Sequence, residues 1–383
     1  MKKQHSIILL FFILFLSCRK DEQIQKPGTG NNLISIFTAT PYQITYPLFW
    51  SKNSIQIPLN NPMTVEGVAL GRLLFYDPIL SKDSTLSCSS CHKLQFAFTD
   101  TTRFSTGITG QKGTRNAPAL FNLGWFSNYG LLNHLFFWDG GAADIESQAL
   151  GPITNPIEMN ETLFNVIRKI KSSKFYPQLF KKAFGTDSVT TQLMVFAIAQ
   201  FERTFISGNS KFDQGRLINF TNLNPSEING LFVFTNTSKG DCWHCHTLVD
   251  QSSPFSPDFG TDFRFHNNGL QIIFSDSGLA RITKNPSDMG KFKTPSVRNL
   301  VFTGPYMHDG RFATLEQVVN FYDTMAYQGT NADPFITSDL HKTGLNLSNK
   351  DKSDLIAFLK TLTDSSFITN TEFMKYSNGF ILK

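Results

Sequence analysis

Two short motifs of cysteine and histidine carry the most specific chemical information in this chain. They are Cys88-Ser89-Ser90-Cys91-His92 and Cys242-Trp243-His244-Cys245-His246, and together they use four of the five cysteines. In each motif the cysteines can form thioethers to the two vinyl groups of a haem, and the histidine can ligate the iron from the proximal face. The two pentapeptides therefore predict two covalently bound haem c groups.

Two other kinds of site also use the Cys-x-x-Cys spacing. Four thiolates can hold a structural zinc ion, and one cysteine pair can act as a thioredoxin-like redox centre. Neither alternative explains why a histidine follows the second cysteine in both motifs. Haem attachment is therefore the favoured interpretation.

The fifth cysteine, Cys18, ends an N-terminal segment that resembles an export signal. Two lysines precede an apolar run over residues 7–16, which is shorter than the ~20 residues of a membrane-spanning helix. The small residue Ser17 before Cys18 fits a bacterial lipoprotein signal, in which the cysteine becomes the lipidated first residue. We expect an exported lipoprotein, periplasmic or on the cell surface, that is held to the membrane only by Cys18. A secreted protein with a free thiol is the alternative.

Length and charge set limits on the remaining possibilities. The chain has 383 residues, which is enough for two domains. Removal of residues 1–17 takes away two lysines, so the formal net charge of +5 becomes +3. This charge is too small to indicate a nucleic acid partner. Glycine and asparagine in residues 19–33 are typical of a flexible tether.

An internal repeat organises the rest of the chain. Residues 71–75 resemble residues 230–234, and each segment leads into a Cys-x-x-Cys-His motif. Further on, residues 117–122 match residues 294–299, and Trp138-Asp139-Gly140 matches His308-Asp309-Gly310. The predicted fold class is mainly α, with two cytochrome c-like domains, each around one covalently bound haem c, and long irregular loops. The expected divisions are 1–17 (signal peptide), 18–45 (Cys18 and tether), 46–212 (first domain), 213–366 (second domain) and 367–383 (C-terminal tail).

The second half has a candidate sixth ligand for its haem iron. Residues 314–327 have the pattern of a helix that begins with a capping box formed by Thr314 and Gln317. Tyr322 falls on the buried face of this helix. Met325, about one turn further on, is the main rival as a ligand, and a tyrosine buried only for packing is the other alternative.

The repeat predicts a different arrangement in the first half. Tyr322 lies fourteen residues after His308, and the same count from Trp138 reaches Pro152. Proline has no donor atom for iron. One haem should therefore be capped by a side chain, and the other should be open to a small molecule.

Over residues 66–362, the chain resembles the bacterial di-haem cytochrome c peroxidase and MauG superfamily. The resemblance is carried by five motifs: Phe137-Trp138-Asp139-Gly140, Gly151-Pro152-Ile153, Asn155-Pro156-Ile157-Glu158-Met159, Phe292-Lys293-Thr294-Pro295 and Pro305-Tyr306-Met307-His308-Asp309-Gly310. It implies that the first haem is peroxidatic and that the second transfers electrons.

The resemblance also implies roles for individual residues. Glu158 would be the acid/base residue, Gln148 its neighbour in the distal pocket, and Trp138 an aromatic bridge between the haems. A carboxylate in a dry pocket can take a proton from one peroxide oxygen and return it to the other. One calcium ion between the domains would be bound by Asn116, Thr303 and Pro305. Three cations are candidates to neutralise haem propionates, with surface charge as an equally good interpretation: Lys293, Arg298 and Arg115.

Two departures from the family pattern bear on the resting state. Many di-haem peroxidases carry a histidine that blocks the peroxidatic iron until the second haem is reduced, but residues 104–113 contain none, and Ile108 stands at the expected position. His134 is the only nearby substitute. Tyr322 replaces the methionine of those peroxidases, as in the MauG branch. Both departures predict an enzyme that is active without prior reduction.

The expected function is reduction of hydrogen peroxide to water, with electrons from a small redox protein of the cytochrome c or cupredoxin type. The alternative among enzymes is a MauG-like oxidase, which uses peroxide to oxidise a partner protein. The alternative from another class is an electron-transfer or peroxide-sensing cytochrome without turnover. A homodimer is compatible with each of them.

The assignment of four cysteines to thioethers predicts that the mature protein carries two haems. Because thioethers are covalent, both haems should stay with the polypeptide through extraction with acid and organic solvent. Haem quantification and intact-protein mass measure this directly. Recovery of a single haem, or of zinc in place of iron, would contradict the assignment.

Overall fold

The computed structural model of the chain describes residues 37–47, 50, 55–128, 136–248, 259–324, 331–337 and 343–376. The residues from Thr38 onward belong to one compact unit. Most regular structure in these ranges is helical, so the predicted mainly α class is confirmed. None of the helices in the described part of the chain has the length and apolar character needed to cross a membrane.

The described helices are, in chain order, α1 (Val65–Tyr76), α2 (Cys88–Cys91), α3 (Ile145–Thr154), α4 (Leu163–Ser172), α5 (Tyr176–Phe184), α6 (Thr191–Glu202), α7 (Lys211–Arg216), α8 (Pro225–Thr235), α9 (Ala280–Thr283), α10 (Leu315–Thr324), α11 (Pro334–Thr337), α12 (Asn349–Thr361) and α13 (Ser365–Ile368). The strands β1 (Phe265–His266) and β2 (Phe292–Lys293) form a small antiparallel sheet. Phe265 pairs with Lys293, and His266 pairs with Phe292.

Side-chain caps fix the start of the two helices that follow the repeated Asp-Gly turns. At α3, Asp144 and Ser147 form a capping box. At α10, the Thr314 hydroxyl accepts a hydrogen bond from the Gln317 N–H, and Gln317 Oε1 accepts one from the Thr314 N–H. The capping box predicted for α10 is therefore confirmed, whereas the expected continuation to residue 327 lies outside the described residues.

One pair of crossing helices forms the framework of each half. In the first half α1 crosses α6, and a Cβ at Gly71 would lie 1.9 Å from the Ala197 carbonyl oxygen. In the second half α8 crosses α12, and a Cβ at Gly230 would lie 2.0 Å from the Asp354 carbonyl oxygen. The two glycines that align in the sequence repeat therefore have one role, because each allows two helix backbones to touch.

The buried apolar side chains form three clusters. One lies around α1, α5 and α6, and another lies around α8 and α12. The third cluster is largely aromatic and combines side chains from both halves. Within it, Phe98 and Phe205 stack with centroids 3.9 Å apart, and Phe373 packs edge-on against Phe205 at 5.4 Å. The halves therefore share one core in addition to their own.

The segment after residue 366 packs on the first half. Arg72 of α1 donates from Nε to the Met374 carbonyl at 2.5 Å and from Nη2 to the Thr371 carbonyl at 2.8 Å. The Tyr76 hydroxyl donates to the Phe373 carbonyl at 2.6 Å. The described part of the predicted tail is thus integrated into the fold, while the domain limits themselves stay predictions.

An ion-pair network around one buried aspartate also joins the halves. Asp139, whose side chain is fully buried, lies 2.7 Å from Arg115 and 2.6 Å from Arg281. Arg115 in turn contacts Asp276 at 2.6 Å. Because removal of one partner would leave a buried charge unpaired, this network strongly constrains the repeated turn that contains Asp139.

Replacement of Gly71 by Ala should destabilise the protein by about 1–3 kcal/mol, the usual cost of overpacking a tight contact. The added methyl group collides with backbone atoms of α6, and these atoms cannot move aside as the end of a flexible side chain could. Denaturant unfolding of the haem-loaded protein measures the change in free energy of unfolding. Gly113→Ala is the matched control, because the nearest atom to its added methyl group is the Arg115 carbonyl oxygen at 4.0 Å. Equal unfolding midpoints for the two variants would contradict the proposed contact.

Candidate active site

The first Cys-x-x-Cys-His motif folds into a single helical turn. Cys88–Cys91 form α2, and the His92 N–H donates to the Cys88 carbonyl at 3.0 Å. The Nδ1 atom of His92 lies 2.8 Å from the Phe98 carbonyl oxygen, which can only accept a hydrogen bond. Nδ1 must therefore carry the proton, so Nε2 keeps the lone pair that a haem iron requires. Burial also lowers the pKa of His92 and favours the neutral ring.

The second motif repeats this arrangement. The His246 N–H donates to the Cys242 carbonyl at 2.9 Å. Nδ1 of His246 lies 3.0 Å from the Pro295 carbonyl oxygen and 3.2 Å from that of Gly260. Pro295 belongs to the repeated segment 294–299, so this part of the repeat supports the proximal histidine. Burial lowers the pKa of His246 as well.

The structure disfavours the two alternatives for the cysteines. Within the described ranges, no three side chains of His, Cys, Asp or Glu converge to hold a metal ion, which argues against a four-thiolate zinc site. Burial raises the pKa of all four thiols, to about 12 for Cys242 and Cys245. Redox-active cysteines have lowered pKa values instead.

A cavity of about 300 Å³ lies beside the second motif. Its lining includes Cys242, Cys245 and His246, and also Tyr322 of α10. The cavity thus combines two cysteines that can form thioethers, a histidine that can be the proximal ligand and a tyrosine that can be the sixth ligand. A haem c with two axial ligands requires this set. The residues present therefore fit the group that the sequence predicts.

Tyr322 is the eighth residue of α10 and is half-buried. Its hydroxyl accepts a hydrogen bond from Asn268 Nδ2 at 3.2 Å. Burial raises its pKa to about 12, so the phenol is neutral unless a cation binds it. Three other predicted residues lie outside the described residues: the rival ligand Met325, the substitute ligand His134 and the lipidation site Cys18.

Helix α3 is the counterpart of α10 in the first half. Both helices have ten residues and begin six positions after the aspartate of the repeated turn. Pro152 is the eighth residue of α3, as Tyr322 is of α10. The correspondence deduced from the repeat is therefore confirmed at the level of the backbone, and α3 has no donor atom at this position.

Gln148 lies one turn before Pro152 on α3. Its side chain is 8% exposed, and its Oε1 atom is buried without a hydrogen-bond partner in the described part of the chain. Buried acceptors are rarely left unpaired, because the lost hydrogen bond costs free energy. The unpaired Oε1 therefore suits a small ligand that can donate a hydrogen bond.

Glu158 follows α3 in a tight turn beside the first motif. Its Oε1 accepts a hydrogen bond from Asn155 Nδ2 at 2.6 Å, and its carbonyl accepts one from the Ile108 N–H at 2.9 Å. Desolvation by surrounding chain raises the pKa of Glu158, and the Asn155 bond opposes the rise. Burial raises the pKa of Cys91, and the charge of the Glu158 carboxylate adds to this rise.

The environment of Glu158 differs in one respect from the dry pocket expected from the sequence. Its side chain is exposed in the structure. The surrounding polypeptide desolvates the carboxylate in part but does not enclose it.

Trp138 is hydrogen-bonded to residues of both halves, and its role as a bridge between haems stays a prediction. Its indole Nε1 donates to the Asn116 carbonyl at 2.8 Å, and the Asn116 N–H donates to the His308 carbonyl at 2.8 Å. The Trp138 carbonyl accepts a hydrogen bond from the Lys293 N–H at 2.8 Å. The ring, which is 9% exposed, also lines the cavity of the second motif.

The structure gives the three candidate cations different surroundings. Arg298 is fully buried and pairs with Asp213 at 2.7 Å, so it is not a surface charge. Arg115 belongs to the ion-pair network of Asp139. Lys293 lines the cavity, and burial lowers its pKa to about 7, which a nearby anion would reverse. The propionate role stays a prediction for all three cations.

The predicted calcium ligands all border the same cavity. They are Asn116, Thr303 and Pro305. Asn116 Nδ2 donates to the Thr102 carbonyl at 3.2 Å. Amide and carbonyl oxygens suit calcium, but these contacts do not define a coordination shell.

Several polar residues near the site were not found from the sequence. Asn155 holds Glu158 and Asn268 holds Tyr322, yet both lie in irregular segments without a periodic pattern. His266 lines the cavity between Asp262 and Asp333; burial would lower its pKa, but the two carboxylates raise it to about 9. Spacing gave no signal for this group, because its members come from separate loops.

Known proteins provide an independent comparison. A sequence model of the di-haem cytochrome c peroxidase family matches residues 65–217. The methylamine utilization protein MauG of Methylophilus methylotrophus is 34% identical over 318 residues, which cover 82% of this chain and 87% of that protein. The cytochrome c551 peroxidase of Nitrosomonas europaea is 36% identical over 305 residues, which cover 79% of this chain and 81% of that protein.

A solved structure gives the same result. The crystal structure of a MauG-like protein associated with microbial copper homeostasis superposes with a TM-score of 0.73 at 34% sequence identity, covering 87% of this chain and 99% of that chain. Relatives at this level of identity span most of both sequences. The chain therefore belongs to the family of di-haem cytochrome c peroxidases and MauG proteins, and it is an oxidoreductase of the cytochrome c peroxidase type.

Proposed function

We propose that this protein reduces hydrogen peroxide to water, with the first haem as the peroxidatic centre and the second as the electron-transfer centre. The observation that carries the proposal is the difference between two equivalent helices. Helix α3 has Pro152 where α10 has Tyr322, and the unpaired Oε1 of Gln148 lies one turn away. A distal side without a ligand and with an unpaired hydrogen-bond acceptor can bind peroxide. A phenol at the equivalent position can instead occupy the sixth coordination site of the iron.

Glu158 is the proposed acid/base residue. Reduction of one peroxide consumes two electrons and two protons and yields two water molecules. The Glu158 carboxylate takes the proton from the oxygen that binds first and returns it to the oxygen that departs. Asn155 holds Oε1 in place, and the raised pKa of Glu158 favours return of the proton near neutral pH.

The other residues of the site bind, orient and connect. A haem joined to Cys88 and Cys91 would supply the iron that binds peroxide and the electrons that cleave it. Gln148 Oε1 accepts a hydrogen bond from the bound peroxide and orients it. Trp138, fixed by its bond to Asn116, provides the aromatic contact through which electrons cross from the second half.

Two residues support reactivity without prior reduction. Ile108 cannot ligate iron, and its N–H is bonded to the Glu158 carbonyl, which fixes this loop beside the acid/base residue. Tyr322 would give the second haem an anionic oxygen ligand, which stabilises ferric iron, whereas methionine raises the potential. The resting enzyme is therefore proposed to be open.

A MauG-like oxidase is the second candidate function. The relative from Methylophilus methylotrophus and the copper-associated structure both carry that name, and Tyr322 is the ligand type of that branch. In this case electrons enter from a side chain of a partner protein. Turnover with small cytochromes or cupredoxins, compared with a search for an oxidised partner protein, separates the two functions.

A cytochrome without turnover is less well supported. A protein that only carries electrons needs both axial positions filled, and it has no use for an unpaired glutamine and a carboxylate beside an uncapped haem. Gln148 and Glu158 therefore favour an enzyme over a peroxide sensor or electron carrier.

The proposal extends to the domains, the calcium ion and the location of the enzyme. It has two cytochrome c-like domains, over residues 46–212 and 213–366, and one calcium ion between them that Asn116, Thr303 and Pro305 bind. It is exported and anchored by a lipid on Cys18, and its small electron donor is likewise outside the cytoplasm. A homodimer is compatible with this arrangement.

Replacement of Glu158 by Gln should slow the reaction with peroxide by ~10²–10⁴-fold, the usual contribution of a general acid/base residue. Glutamine keeps the shape and removes the proton acceptor. Stopped-flow mixing of the oxidised protein with peroxide measures the rate. A loss of less than about threefold would show that Glu158 has no catalytic part.

The control for this variant is Glu161→Gln, the same chemical change three residues on. Glu161 pairs with Lys169 at 3.0 Å, so its loss should affect stability and leave the peroxide rate unchanged. The pH profile provides a second readout. Because partial desolvation by the surrounding chain raises the pKa of Glu158, the wild-type rate should fall on acidification at a higher pH than an ordinary glutamate would give. In Glu158→Gln this fall should be absent.

A further inference from the structure

The residue before the repeated Asp-Gly turn has an unusual backbone conformation in both halves. Phe137 precedes Trp138 with φ of 62°, and Met307 precedes His308 with φ of 75°. Such positive φ values are uncommon for residues with a side chain and persist only where the surroundings enforce them. Both side chains line the cavity of the second motif. In both halves, the same positive φ angle therefore directs the side chain that precedes the Asp-Gly turn motif toward this cavity.

The two side chains differ in their chemistry. The Phe137 ring lies against Gly151, next to Pro152 of α3, and it has no donor atom. Met307 has a thioether sulfur, which is a recognised haem ligand. The half with an uncapped distal side has an inert residue here, and the half with Tyr322 has a second potential ligand.

A single asparagine connects Met307 with Tyr322. Asn268 Nδ2 lies 3.6 Å from the Met307 sulfur and 3.2 Å from the Tyr322 hydroxyl oxygen. The other amide atom of Asn268, Oδ1, accepts a hydrogen bond from the Leu270 N–H at 3.3 Å. This bond orients the amide so that its NH2 group meets both atoms. The oxygen and the sulfur therefore lie close to one amide group in a cavity whose lining also includes His246 and the two cysteines.

We propose that Met307 is a second axial ligand of the haem at the second motif, which binds the iron when the protein is reduced and replaces Tyr322. A hard, anionic oxygen favours ferric iron, and a soft thioether favours the reduced ion. One electron comes from the donor protein and one proton from solvent. The iron–oxygen bond breaks, Tyr322 leaves as the neutral phenol, and an iron–sulfur bond to Met307 forms. Asn268 is the positioning residue for both ligands.

This inference rests on the proposed haem attachment at the second motif and not on peroxide turnover. Carbon monoxide is a suitable probe, because it binds reduced haem only where an axial position is open. The reduced wild type should bind one carbon monoxide per protein, at the first haem. Reduced Met307→Leu should bind two, while its oxidised spectrum stays that of the wild type, because Tyr322 remains the ferric ligand.

Removal of the tyrosine oxygen tests the same ligand in the oxidised protein. In Tyr322→Phe the second haem should stay low-spin, with a thioether-to-iron band in near-infrared magnetic circular dichroism. In Tyr322→Phe/Met307→Leu it should become high-spin. Met289→Leu is the matched control, because Met289 does not line the cavity, and it should change neither result.

Two outcomes would overturn the proposal. The first is a reduced Met307→Leu protein that still binds one carbon monoxide. The second is a Tyr322→Phe/Met307→Leu protein in which the second haem stays low-spin. If further replacement of Met325 by Leu then removes the low-spin signal, Met325 is the ligand in place of Met307. Haem content and peroxide rates of each variant are measured separately, so failure of the peroxidase function would not be mistaken for failure of the ligand exchange.

Discussion

The hydrogen bond from each proximal histidine to a backbone carbonyl is the constraint on which the two sites depend. His92 is held by the carbonyl of Phe98, and His246 by that of Pro295. Each bond fixes the tautomer that leaves Nε2 available to iron, and each ties the motif to the chain that follows it. The crossing helices with Gly71 and Gly230 provide the rigid support behind the motifs, and burial lowers the pKa of both histidines.

The function arises from small differences within this repeated framework. The same ten-residue helix follows the same turn in both halves, but its eighth residue is proline in one and tyrosine in the other. The residue before the turn is phenylalanine in one and methionine in the other. In the proposed function, one scaffold thus gives one haem site that is open to a small ligand and one haem site with two candidate axial ligands. The shared aromatic core and the Asp139 network hold the two sites in a fixed relation.

The sequence predicted the parts of the site that depend on local spacing. The Cys-x-x-Cys-His motifs, the capping box of α10 and the alignment of Pro152 with Tyr322 all follow from short-range patterns, and the helices agree with them. The partners of these residues come from distant loops, and no spacing rule identifies them. Asn268 reaches Tyr322 from a loop that precedes it by about fifty residues, and Asn155 reaches Glu158 through a turn.

Charge was the least predictable property, for a physical reason. Arg298 and Arg115 resembled candidates for an anionic cofactor, but each is used by buried aspartates, because an unpaired buried charge is costly. Which cation remains for the cavity depends on how all the others are paired. Lys293 lines the cavity, and only the folded structure shows this.

The central claim is that the two haems differ in their distal side in the resting state. Electron paramagnetic resonance of the fully oxidised wild-type protein tests it most directly. The account predicts one high-spin haem and one low-spin haem, with loss of the high-spin signal when peroxide is added without any reductant. Two low-spin signals would contradict it, because they would require a distal ligand, such as His134, at the first haem.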